Sequence, residues 1–281
     1  MAANGCQKHH AILAWRYSWL GLLGLAFLVL SGTLSEVLAE EPPNKGLAIA
    51  QEMDRRNDGF GNTIATLKMI LRNAHGQPKT RELKIRTKEV PDIREGDKIF
   101  IVFDRPRDIK GTALLTHTHI GKPDDQWPYL PALKRVKRIA STNQSGSFVG
   151  SEFAYEDLTS QEVDKYTHRY LRDEVCGMGQ CFVVERVPVA KHSGYKRQIV
   201  WIDQREYRLH KNEFYDRKNR LLKTLLFNDY EQYLGQYWRA LQMDMTNHQT
   251  GKSTQLQFSE YRFRESLTKR DFTRAALKRV R

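Results

Sequence analysis

The chain lacks most of the features that would mark it as an enzyme or a membrane-spanning protein. No Gly-rich phosphate loop, no Gly-x-Ser-x-Gly and no His-Glu-x-x-His occurs in its 281 residues. The local signatures of nucleotide-binding proteins, serine hydrolases and zinc proteases are therefore missing. No βαβ rhythm runs along it, so a parallel doubly wound sheet is not expected. The longest apolar run, residues 20–30, falls short of the roughly 20 residues that cross a bilayer. A mean hydropathy of −0.63 likewise argues against a polytopic membrane protein. Cysteine is scarce, with three residues, and no Pro/Ser-rich linker divides the chain. What is present is globular composition, 40% hydrophobic and 28% charged, with a formal charge of +13.

The first forty residues assign that charge to a compartment. Lys8 and Arg16 precede the apolar run, and Val37-Leu38-Ala39 closes the segment ahead of Glu40-Glu41-Pro42. Basic, apolar and small residues in that order form a secretory signal peptide, with the cut expected after Ala39. Cys6 lies before the apolar run, where lipidation does not occur. The expected domains are a signal peptide, 1–39, and one exported domain, 40–281. Cleavage removes Lys8, Arg16 and Glu36, so the remaining 242 residues keep a charge of +12. Nucleic acid is thereby excluded as the natural partner. The charge must face an anionic membrane surface or an acidic protein instead. Cys176 and Cys181 remain after cleavage, and an even number in an oxidising compartment reads as a disulfide. Their Cys-x4-Cys spacing across Gly-Met-Gly-Gln suits a hairpin rather than a redox pair.

The mature chain reads as helix, then strands. Leu47, Ala50 and Met53 recur at helical spacing over 44–58, ended by Asn57-Asp-Gly59. The period then changes to two. Strands are expected around 65–71, 82–88 and 98–103, with Arg94–Asp97 as a turn before the third. Further strands are expected at 112–119, 126–130, 133–139, 166–173, 182–188, 196–203, 207–215, 221–230, 238–247 and 253–263. Residues 98–103 are apolar on both faces and should be covered on both. Residues 141–160 read as a long loop, and 271–278 as a short helix capped by Asp271. The architecture expected is mostly β: one large, strongly curved antiparallel sheet with a few helices on its concave side. Its apolar inner positions, Leu67, Met69, Leu71, Leu83, Ile85, Ile101, Phe103, Phe182, Val184 and Trp201, are either ordinary core or the lining of a cavity.

Several segments in order resemble one family. They are Tyr129-Leu-Pro-Ala-Leu-Lys-Arg-Val-Lys-Arg-Ile139, Phe148-Val-Gly-Ser-Glu-Phe-Ala-Tyr-Glu-Asp-Leu158, the stretch from Tyr195 to Trp201-Ile-Asp203, Glu213-Phe-Tyr-Asp216 and Phe272-Thr-Arg-Ala-Ala-Leu277. Together they resemble the LolA-like outer-membrane lipoprotein-sorting proteins of the bacterial periplasm. The resemblance covers nearly all of 44–281. It implies a half-open β-barrel of about eleven strands with helices as a lid over an apolar cavity. It implies a non-enzymatic chaperone that carries lipid or lipoprotein acyl chains through the periplasm, with no cofactor. It also implies an RND-type exporter as a partner, and an adaptor to such an exporter is the alternative reading.

Three further motifs have two readings each. His117 and His119 share one strand face, as metal ligands could, yet no third or fourth ligand is identified and an exposed strand face explains them. Lys134, Arg135, Lys137 and Arg138 place four bases in five residues, either to meet anionic head groups or as a solvated edge strand guarded against aggregation. Glu152 and Glu156 have general acid/base spacing, but no nucleophile or metal accompanies them. The segment around Phe148, Phe153 and Tyr155 is better read as a lid or rim loop.

Overall fold

The computed structural model describes residues 44–91, 95–160, 162–177 and 179–280. The signal peptide, its cut after Ala39, Cys6 and the Arg94 end of the expected turn lie outside the described residues. Helix α1, Lys45–Asn57, begins at Asn44, whose side chain accepts from Leu47 N at 3.3 Å. The chain then builds β1 (Asn62–Arg72), β2 (Pro78–Lys88), β3 (Glu95–Arg105), β4 (Ala113–His119), β5 (Asp125–Leu130) and β6 (Arg135–Val136). After a loop follow β7 (Tyr166–Cys176), β8 (Gly179–Pro188), β9 (Tyr195–Asp203), β10 (Leu209–Asp216), β11 (Leu221–Tyr233), β12 (Tyr237–Asn247) and β13 (Ser253–Phe263). Helix α2, Arg274–Leu277, ends the fold.

All thirteen strands join one sheet in the order β6-β5-β4-β3-β2-β1-β13-β12-β11-β10-β9-β8-β7. Each described pairing is antiparallel. Every neighbour is consecutive in the chain except β1 with β13, so hairpins account for the sheet and one closure joins its two halves. The sheet is mostly β and curved, as expected, but has thirteen strands, not eleven. Thirteen segments were expected as strands from the residue pattern, which is therefore nearer the fold than the strand number the resemblance implies.

The sheet's two faces are covered differently. We call inner the face that carries α1. Ile49 packs there on Val184, Val200 and Ile202. Gly46 lies so close to β7 that a Cβ on it would meet Tyr170 N at 2.6 Å, and only glycine fits. The same helix reaches β12, where Arg239 Nη1 donates to Asn57 Oδ1 at 2.7 Å. One helix can touch β8 and β12 together only because the sheet curls around it. The outer face is covered by the C-terminal segment. Phe272 and Leu277 bury Phe100, Val102, Ala113 and Leu115. Residues 98–103 are thus covered on both sides.

Three local readings change. Only α1 lies on the inner face, while α2 covers the outer one, because Phe100 and Leu115 point away from Ile101 and Leu114. Asp271 does not cap α2. It closes a 3₁₀ turn by accepting from Thr268 N and Oγ1 at 2.7 and 2.9 Å, and Thr273 caps the helix by accepting from Ala276 N. The strand expected over 133–139 shrinks to Arg135–Val136. Pro131 has no N–H to give a ladder and starts a 3₁₀ turn, after which Lys134 turns left-handed at φ 47°. Glu95–Asp97, expected in a turn, belong to β3.

Cys176 and Cys181 form a disulfide across the β7–β8 hairpin, with Cα atoms 5.9 Å apart. Cys181 is fully buried on the outer face beside Val183 and Trp201. A loop this short restricts the unfolded chain only modestly. Replacing both cysteines by serine should cost about 2 kcal/mol, read as a fall in melting temperature that reductant reproduces in the parent protein.

Candidate functional site

The inner face is the concave surface that a ligand could enter, and a loop fills part of it. Residues 144–158 leave the β6 edge and cross the interior. Phe148, 2% exposed, packs 5.6 Å from Phe103 and edge-on to Tyr155 at 5.7 Å. Phe148 and Phe153 join Leu67, Met69, Leu83, Ile101, Phe103, Phe214, Leu225 and Leu256 in one buried cluster, with Leu71 and Ile85 packed against it. The candidate lid residues and seven of the candidate cavity residues therefore meet in one place. Phe182 and Val184 lie under α1, with Phe182 5.7 Å from Tyr207. Trp201 lies on the outer face with Cys181, because it is one residue out of step with Val200 and Ile202.

Polar side chains fix the loop to six strands. Gln126 of β5 donates to Tyr155 O at 2.8 Å, Arg81 of β2 donates to Val149 O, and Thr254 of β13 accepts from Glu152 N at 3.0 Å. Lys223 of β11 reaches Asp157 at 2.6 Å and Glu152 O at 2.9 Å. Tyr195 of β9 donates its hydroxyl to Asp157 Oδ1 at 2.8 Å. Burial, with Asp157 and Glu156 nearby, raises the Tyr195 pKa well above the usual phenol value, so the hydroxyl stays a donor. The side chains of Lys223 and Asp157 are only 4% and 7% exposed. The acids of this segment are fully engaged. Glu156 accepts from Ser193 Oγ at 2.7 Å and Gly194 N at 2.9 Å, and Glu152 accepts from Asn247 at 2.7 Å. An open cleft of about 470 Å³ lies beside the loop, lined by Ser151, Glu152, Arg217, Lys218, Leu222 and Asn247 among others.

Away from the loop the inner face is less covered. Ile99, Ile85, Phe258, Met243, Tyr230 and Leu209 are half-buried, and the register carries them across the sheet from β3 to β10. Tyr233, Tyr261 and Phe263 extend this strip, with ring centroids 5.1 to 5.6 Å apart. The strip lies between α1 and the loop. Ile99, Ile85, Phe258, Met243, Tyr230 and Leu209 pack against the edge of the core cluster and stay half-buried.

The other candidates fall elsewhere. His117 Nε2 lies 2.8 Å from Phe272 O, and His119 Nε2 lies 3.1 Å from Asp125. Both rings are half-buried, not exposed, and each is used to hold a neighbouring segment. No group of three or more metal-ligating side chains occurs among the described residues. Lys134, Arg135, Lys137 and Arg138 stand exposed at the β6 edge beside Leu130 and Leu133, and Arg138 pairs with Asp125. Sequence reading did not single out Lys223, Arg186, Gln198 or Asn212, and named Asp157 and Tyr195 only within the segments that carry the family resemblance. The available signal was phase: Arg186 follows Val184, and Lys223 precedes Leu225, at inner positions where an apolar residue is the norm.

An acidic group lies by α1. Burial raises Asp54 and Asp97 to about 6 and Glu162 to about 7, with repulsion from neighbouring carboxylates adding to each shift. Each binds its proton more tightly folded than unfolded, where carboxyls titrate near pH ~4. The stabilisation is complete below that value and is lost progressively as pH rises from there to about 6 to 7. Denaturant titrations should show stability falling over that window, and Glu162→Gln should flatten the fall. The loop makes a second prediction. Asp157→Asn leaves Lys223 buried without its counter-charge and should destabilise by about 3 kcal/mol or more in chemical denaturation. Asp157→Asn with Lys223→Met should recover much of that loss.

Comparison with known proteins follows the geometry. A family model described as "Uncharacterized protein" matches residues 95–279. A crystal structure from Vibrio parahaemolyticus, described as an outer membrane lipoprotein-sorting protein domain, is 54% identical, with a TM-score of 0.81 over 83% of this chain and 98% of that one. A DUF1329 family protein from Desulfovibrio piger is 30% identical, with a TM-score of 0.78 over 83% and 97% of the two chains. A LolA superfamily protein from Nitrosomonas europaea shares the fold at 19% identity, with a TM-score of 0.67 over 82% and 98%. No curated protein matches the chain.

Proposed function

The chain belongs to the LolA-like outer-membrane lipoprotein-sorting protein family, and from that membership we propose that it binds acyl chains of lipids or lipoproteins on the inner face of its sheet. The observation that carries this reading is the half-buried apolar strip between α1 and the 144–158 loop. Each acyl methylene withdrawn from water there contributes about 0.8 kcal/mol, so a short length of chain gives useful affinity.

The protein acts in the periplasm as a carrier moving cargo toward the outer membrane, after export by a signal peptide cut behind Ala39. It is not an enzyme: Glu152 and Glu156, the carboxylates spaced for acid/base work, are spent on holding the loop. The exposed bases at the β6 edge, with Leu130 and Leu133, suit transient contact with an anionic membrane surface. Organic extraction of the purified exported protein should yield bound lipid by mass spectrometry. The emptied protein should bind an apolar fluorescent probe, and Phe258→Glu should weaken that binding tenfold or more by placing a charge in the strip. Absence of both bound lipid and probe binding would sink the carrier reading.

A further inference from the structure

The inner face of β8, β9 and β10 holds a positive charge without a matching carboxylate. Arg186 is 4% exposed. Its Nε donates to Gln198 Oε1 at 3.0 Å, and its guanidinium lies 4.8 Å over the Tyr166 ring. Among the described residues no acid forms an ion pair with it. Asp157 attracts it from a distance, but that carboxylate is engaged with Lys223, Tyr195 and Ala154 N. Burial accordingly lowers the Arg186 pKa, the sign of a desolvated cation. Keeping a guanidinium buried with so little compensation disfavours the fold, and an apolar residue of that length would remove the burden.

A second unmet group stands beside it. Asn212, 3% exposed, gives its amide to the same Gln198 oxygen at 3.0 Å. Its own oxygen, Oδ1, is buried with no hydrogen-bond partner. Turning the amide over would set two oxygens against each other, so Gln198 fixes this orientation. A buried donor-rich cation and a buried acceptor thus flank one glutamine. The register places all three on the inner face, since Arg186 opposes Gln198, and Val200 opposes Asn212. They lie between Tyr195, which holds the loop, and Val184 and Val200, which lie under α1. Leu209 connects this corner to the apolar strip.

We propose that Arg186, Gln198 and Asn212 form a head-group subsite for an anionic ligand that also carries a hydroxyl. The Arg186 fork donates to a phosphate oxygen, and Asn212 Oδ1 accepts from the hydroxyl. The phosphoglycerol head of an acidic phospholipid has both groups; a choline head has the phosphate but no hydroxyl and a compensating cation. This rests on the inner face being the acyl-chain site, and it adds selection among lipids to that reading.

The test is calorimetric titration of the protein with dihexanoyl phosphatidylglycerol, dihexanoyl phosphatidylcholine and inorganic phosphate. The phosphatidylglycerol should bind about tenfold tighter than the choline lipid, the size expected of hydrogen bonds to a charged partner. Arg186→Met should bring the two lipids level while leaving apolar-probe binding unchanged. Its melting temperature should be no lower than the parent's, because a purely structural arginine would lower it. Asn212→Leu removes the unmet acceptor and should abolish the preference for the hydroxyl-bearing head. Phosphate binding as tight as the glycerol lipid, and lost in Arg186→Met, would keep the anion subsite and assign it to free phosphate. Equal affinity of the parent for both lipids, or a preference that survives both substitutions, overturns the subsite. Loss of probe binding in every protein, with phosphate still bound, would overturn the acyl-chain reading and leave the subsite standing.

Discussion

Asp157 and Lys223 meet inside the sheet, and the position of the whole 144–158 segment depends on that pair. Neither charge could be left there alone, since an isolated ion in such a place costs several kcal/mol. The pair is made acceptable by extra donors: Tyr195 and Ala154 N satisfy the carboxylate, and Glu152 O takes a further ammonium proton. With the loop fixed, Phe148 and Phe153 are delivered to the core. Without it, Phe103, Leu67 and Met69 would face water.

The constraint behind that pair is geometric. A sheet of thirteen strands with two edges has an inner face larger than its own side chains can fill. Something else must cover it. Here α1 covers one corner and the loop another, and neither spans the whole concavity. The apolar strip between them follows from that incomplete coverage. In a closed small barrel the same residues would be packed by the opposite wall. The half-open form therefore links fold to function: it keeps apolar surface near water without exposing a contiguous patch on the outside.

Polar residues on the inner face divide into two kinds. Lys223, Asp157, Glu152 and Asn247 satisfy one another and hold the loop in place. Arg186 and Asn212 have groups left over. Buried networks are expected to be complete or absent, and an incomplete one marks a place where something else contributes. Gln126, which holds the loop, also keeps one buried oxygen without a partner, so the Arg186 corner is set apart by a buried cation beside the unmet acceptor.

The sequence by itself determined the class of fold. The residue pattern marked thirteen strand segments, Asn44 and Gly59 bracketed the helix, and paired cysteines in a hairpin formed their bond. These are local matters, settled by periodicity, turn residues and caps within a few positions. The resemblance of Phe148–Leu158 and its companions likewise led to the family. What only the tertiary structure decided was which face each residue serves and what covers it. Trp201 looked like its neighbours Val200 and Ile202, yet the two-residue period sends it outward. Asp271 looked like a helix cap and closed the turn before it. Arg186 and Lys223 drew no reading from the sequence, and the register placed them inside. A strand's period tells which residues share a face, but not which face is buried, because that depends on strands and loops far away in the chain.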